Sequence, residues 1–165
     1  MLAMPVGAGR FNVRVAGIAL RDGHVLVHRM AGDAYWVLPG GRVEFGEDSA
    51  TALSREMKEE LGTDADVGRL VVFAENFFEL DGRVFHELAL FYEMDLPVGF
   101  QAEPGVAFWM EEEGRRYEFV WSRADEESLA GLPLLPLFLQ PRLARLPKVP
   151  EHVIWRTQRG PSGPR

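Results

Sequence analysis

GRVEFGEDSATALSREMKEELGT, residues 41–63, reads as a glycine-rich loop running into an amphipathic helix. Asp48 carries a side-chain oxygen suited to accept from the first free N–H groups, and Gly62 stands where a left-handed residue closes a helix. The predicted helix spans Ser49–Leu61. Each helical residue advances about 100°, so Ala50, Leu53, Met57 and Leu61 fall on one apolar stripe that needs a core to face. Glu56 and Glu60 lie one turn apart on this helix. Glu60 stands only about 60° from the centre of the stripe, whereas Glu59 points further towards solvent.

Like charges at that spacing weaken a helix by a few tenths of a kcal/mol per pair. They also crowd the C-terminal end, where the helix dipole already disfavours negative charge. Stability alone would not select the arrangement. A hard divalent cation would, because magnesium takes carboxylate oxygens and keeps several waters. Three glutamates on a helix ordinarily make a solvated face; the place of Glu60 beside the stripe, and the glycines before the helix, weigh towards a metal site.

Outward from the helix, residues 11–20 and 24–28 read as two strands joined at Arg21-Asp22-Gly23, a hairpin signal. Residues 35–38 form a short aromatic and aliphatic strand stopped by Pro39-Gly40-Gly41. Two longer strands, 69–80 and 83–94, flank Asp81-Gly82, a strong turn cue. Residues 117–121 read as a further strand, 125–130 as a short helix, and 134–146 as a helix that Pro141 kinks or divides. Strands interleaved with one early and one late helical region predict an α/β fold, a mixed sheet with helices on its faces. Residues 158–165, rich in Gly, Pro and Arg, are expected to be a disordered tail, which leaves 1–157 as a single domain.

Composition narrows the function. A net charge of −7 argues against binding a long nucleic acid, which is held mainly by Lys and Arg against phosphate. A small anionic substrate stays compatible if a metal brings the positive charge. The chain has no cysteine, which excludes disulfides, zinc–thiolate sites and thiol nucleophiles and fits a reducing compartment. Residues 1–20 contain Arg10 and Arg14 and no long apolar run, so no signal peptide is expected. The apolar run 129–139 is short and broken by Pro133 and Pro136, so it cannot span a bilayer. A cytoplasmic protein without membrane contact is expected, and a late apolar helical region left exposed would favour a homodimer.

Residues 41–63 resemble the signature of the Nudix hydrolase family: Gly, five residues, Glu, seven residues, Arg-Glu, a hydrophobic residue, any residue, Glu-Glu, any residue, Gly, a hydrophobic residue. Gly41, Glu47, Arg55, Glu56, Met57, Glu59, Glu60 and Gly62 all fall in register. Thr63 departs from the pattern at a packing position. The resemblance implies an α/β/α sandwich with a mixed, strongly twisted sheet and two main helices. It implies a magnesium- or manganese-dependent pyrophosphohydrolase acting on a nucleoside di- or triphosphate, or on a nucleoside diphosphate linked to another group. By the same resemblance Glu56 and Glu60 are metal ligands, Glu59 is a ligand or the general base, and the Gly40 carbonyl is a further ligand. Arg55 and Glu47 would pair and hold the loop, with Gly41, against the helix.

Other acids offer themselves as the base: Glu118, Glu103 and the run 111–113, each otherwise a surface acid. Glu87, beside His86 in a strand, joins the metal cluster only if it faces the helix. Candidate substrate contacts are Arg29 for a phosphate, Trp36, Phe77 and Phe78 for stacking on a base, and Arg42 and Glu44 within the signature loop. Neither the downstream proline of many ADP-ribose hydrolases nor the tyrosine of dinucleoside polyphosphate hydrolases stands at its spacing after Gly62, so the substrate stays open. Two rival readings remain: a 5′-end RNA pyrophosphohydrolase, disfavoured by the charge, and a silent nucleotide-binding module, disfavoured by the intact glutamates. An isomerase of isoprenoid diphosphates, whose chemistry resembles a cysteine-plus-glutamate site, is strongly disfavoured by the lack of cysteine.

Overall fold

A computed structural model describes residues 1–100 and 103–157; the expected tail, 158–165, lies outside them. Among the described residues nine strands form two sheets. The first is mixed, ordered β1 (Ala3–Val6), β2 (Gly9–Ile18), β6 (Arg83–Asp95), β5 (Asp66–Leu80), β9 (Glu151–Arg156). Here β2 runs parallel to β6 and β9 parallel to β5, while β5 and β6 are an antiparallel hairpin turning at Asp81-Gly82. The second sheet is antiparallel, ordered β3 (Leu20–Arg21), β4 (His24–Met30), β8 (Arg115–Arg123), β7 (Phe108–Glu112). The α/β class and the mixed sheet are those expected from the sequence.

Helix α1 covers Ser49–Leu61. Asp48 accepts from the N–H groups of Ala50 and Thr51, and Gly62 closes the helix in the left-handed conformation. Its buried face is Ala52, Leu53, Met57, Glu60 and Leu61, so Ala52 takes the place expected of Ala50. Alternate residues of β2 and β4 feed two cores. Val15 and Leu26 join Leu53, Met57, Phe119 and Trp121 under α1, while Ala16, Ile18, Val25 and Val27 join Phe91 and the late residues Leu134, Phe138 and Leu139. Such strands, buried on both faces, read as near-continuous apolar runs.

Three expectations are corrected. The turn at Asp22-Gly23 joins β3 to β4, not β2 to β4, because the chain leaves the first sheet at Ala19 and enters the second. Residues 35–38 are not a strand: Trp36 and Val37 make isolated bridges to Leu134 and His28 and stitch the loop between elements. Residues 134–146 are not one helix, since Pro136 and Pro141 lack the N–H a helix interior needs. They give a 3-10 turn, Leu137–Leu139, and a short α3, Gln140–Ala144, after α2 (Glu126–Gly131). Among the described residues no helix is long and apolar enough to cross a membrane.

Candidate active site

α1 presents Glu56 and Glu59 towards the end of β7, which brings Glu112. One carboxylate oxygen from each of Glu56, Glu59 and Glu112 lies within 4.8 Å of the others. Glu56 holds protons more tightly than an ordinary carboxyl because it is buried, an effect that Arg55 opposes. Glu112 does so because of its own burial and of Glu56 and Glu59 facing it. Glu60 turns inward: its residue is 5% exposed, and its Oε2 accepts from the Gly40 N–H at 3.0 Å. Burial pushes its carboxyl up to about 8, with Glu56 and Glu112 adding to the shift and Arg14 opposing it. His28 Nδ1 lies 3.9 Å from Glu60 Oε1, but burial and then Arg14 drive that imidazole down to about 3. A neutral imidazole does not balance the charge.

Arg55 ties the acids to the loop. Its guanidinium donates to Glu47 Oε1 at 2.7 Å, to Glu56 Oε1 and Glu59 Oε2 at 2.9 Å each, and to the Arg42 carbonyl at 3.1 Å. Only a planar fork with several donors reaches so many oxygens at once. Glu47 in turn accepts from the Glu44 N–H at 2.7 Å, and its carboxyl is held below the usual range by Arg55. Glycines permit the close approach. A Cβ on Gly41 would collide with the Glu56 carboxylate, and one on Gly40 with the Val15 carbonyl; Gly40 also holds a φ of +139°, which other residues rarely adopt.

Beside the acids opens a cavity of about 320 Å³ between the first sheet and residues 135–137. Arg14 on β2 and Arg42 in the loop before α1, joined by an isolated bridge, both line it. Burial, Arg10 and Arg14 disfavour the charge on Arg42 while Glu87 and Glu56 favour it, and Arg14 in turn eases the ionisation of Glu56 and Glu60, so both arginines feel the acids as well as lining the cavity. Among the described residues neither makes an ion pair.

The remaining candidates scatter. Phe78 and Glu87 line the cavity, so Glu87 is not one of the three converging acids. Phe77, the residue before Phe78, faces the other side of the sheet, stacked between His86 and Arg156. Arg29 binds Glu118 at 2.7 Å and lies over the ring of Trp36, which belongs to the core. The Glu44 side chain is exposed. Arg14, Asn12 and Asn76 were not singled out from the sequence. The signal available was parity: polar residues on alternate positions of buried strands must face either water or a cavity. Glu112 was visible only as part of an acidic run.

The donor set fits a hard divalent cation: carboxylate oxygens alone, converging, with a buried fourth acid behind them.

The family model described as NUDIX domain matches residues 10–133. A CTP pyrophosphohydrolase of Escherichia coli (strain K12) is 34% identical over 141 residues, which is 79% of this chain and 93% of that protein. The solution structure of the E. coli ORF135 protein superposes with a TM-score of 0.53 at 31% identity, covering 85% of this chain and 91% of that one. A MutT protein from Methanosarcina mazei Go1 shares the fold, with a TM-score of 0.59 at 20% identity over 86% of this chain and 95% of that one.

Proposed function

The chain belongs to the Nudix hydrolase family as a pyrophosphohydrolase, and from that premise we propose that it cleaves a diphosphate linkage in a free nucleotide, using magnesium or manganese. The observation that carries this reading is the convergence of Glu56, Glu59 and Glu112 beside a cavity edged by Arg14 and Arg42. A nucleoside triphosphate is the favoured substrate, because the relative similar over most of both chains bears a nucleoside triphosphate in its name. A nucleoside diphosphate linked to another group is the second.

Glu56, Glu59, Glu60 and Glu112, with the Gly40 carbonyl, would hold the cation. A bound divalent cation neutralises the diphosphate and makes an attacking water more acidic. Arg14 and Arg42 add fixed positive charge where the phosphates would lie, and the cavity takes the nucleoside. Glu59, half exposed, accepts the proton of the attacking water; Glu112, facing it from β7, is the other carboxylate in reach. Arg55 and Glu47 keep Glu56 and Glu59 in position. The intact acid cluster counts against a silent binding module, and the net charge of −7 against capped or triphosphorylated RNA ends.

Incubation with a nucleotide panel and either cation, with products identified by mass, tests the reading. A nucleoside monophosphate plus a second phosphate product is expected, abolished by chelator. Glu56→Gln should lower turnover at least about a hundredfold without lowering Tm. Full activity in chelator, or in Glu56→Gln, defeats it.

A further inference from the structure

The floor of the cavity carries three polar side chains in one row. Asn12 on β2, Glu87 on β6 and Asn76 on β5 are direct cross-strand partners, and they are only 3%, 8% and 5% exposed. Asn12 Nδ2 donates to Glu87 Oε2 at 2.7 Å, and Asn76 Nδ2 donates to Glu87 Oε1 at 3.4 Å. An ionised carboxylate only accepts. Both amides must therefore turn their NH2 groups to Glu87, which sends both carbonyl oxygens elsewhere. Asn12 Oδ1 and Asn76 Oδ1 are buried and lack a hydrogen-bond partner. Leaving buried acceptors open is costly, and in residues that line a cavity such groups favour a ligand whose donors reach them.

The same cavity is lined by Phe78 and Phe85, whose rings stack at 4.9 Å, and by Trp155, the β9 partner of Asn76. Aromatic walls with a few convergent polar groups suit a flat heterocycle. Resting on the hydrolase reading above, we propose that the row Asn12–Glu87–Asn76 selects the substrate's base, taking bases with an exocyclic amine and rejecting uracil and thymine. Cytosine and adenine bring N–H donors to the two open carbonyls. Uracil sets a carbonyl oxygen where cytosine has its amine, against acceptors that cannot reverse. Turning either asparagine would press its own carbonyl onto Glu87. The carboxylate is thus a positioning residue: it acts on the base through the two amides.

Equilibrium binding of CMP and UMP in chelator tests this without any turnover, so it stands or falls apart from the hydrolase assay. CMP should bind at least about tenfold more tightly than UMP. Glu87→Gln offers its own amide donor and frees an asparagine to turn, so the ratio should fall below about threefold, with UMP gaining affinity as CMP loses it. Asn76→Ala, which removes one open acceptor, should also narrow the ratio. Equal affinity of the two nucleotides for the wild-type protein, absence of binding by either, or a ratio unchanged in both variants would overturn the inference.

Discussion

Glu60 shows what a single side chain in this site tolerates. Its carboxyl is buried on α1 with one backbone N–H for company, and burial holds its proton on up to about 8, against a usual 4.5. A folded pKa above the unfolded one means that the protonated form favours the native state. The benefit is complete below about 4.5 and is lost as pH rises through about 8. In chelator, the Tm advantage of Glu60→Gln over wild type should widen from pH 5 to about pH 8 and level off beyond it; a gap independent of pH would show that this acid is not strained. The acids on α1 were legible in the sequence because helical periodicity fixes their mutual angles. Glu112 was legible only as one of the run 111–113, and Arg14 and Asn76 not at all, because they reach the site from strands whose meeting depends on sheet order.

On the scale of elements, α1 was read to the residue because both its ends carry chemical stops, Asp48 and Gly62. Asp48 accepts from the N–H groups of Ala50 and Thr51, and these bonds hold its carboxyl below the usual range. For a depressed pKa the sign reverses: the stabilisation is present above the ordinary 3.8 and disappears as pH falls below it. Asp48→Ala should therefore lower Tm at pH 7, with the deficit closing towards pH 2, and Asp48→Ser should recover much of it. A deficit that persists in acid would place the effect elsewhere. The late segment was misread because apolar residues at 134–139 suggest a helix, while Pro136 and Pro141 each withhold a donor and split it into shorter turns. Strands β1, β7 and β9 were missed since they are short and hold no fully buried residue; β7 and β9 alternate in burial, but their apolar and polar residues do not follow that alternation.

For the molecule as a whole, the cavity depends on how two cores share the first sheet. Phe138 packs edge-on to Phe91 at 5.9 Å and against Trp155 at 5.8 Å, and so anchors residues 135–137 over the sheet. Phe138→Ala should cost about 3–5 kcal/mol in urea denaturation and raise KM for the nucleotide more than it lowers kcat. A loss in kcat alone would mean that this core does not shape the cavity. The class of the fold was legible from strands alternating with helices; its division into two sheets was not, because nothing in the alternation of β2 marks that the chain changes sheet at Ala19.

The guanidinium of Arg55 fastens helix, loop and three acids into a single block. Substrate entry must then be accommodated by the opposite wall, where a broken helical segment rests on the sheet through side-chain packing. Breathing of this protein should accordingly be lopsided. In deuterium exchange the amides of 135–144 would label well before those of 50–61, and a bound nucleotide would slow the first group while leaving the second almost unaffected.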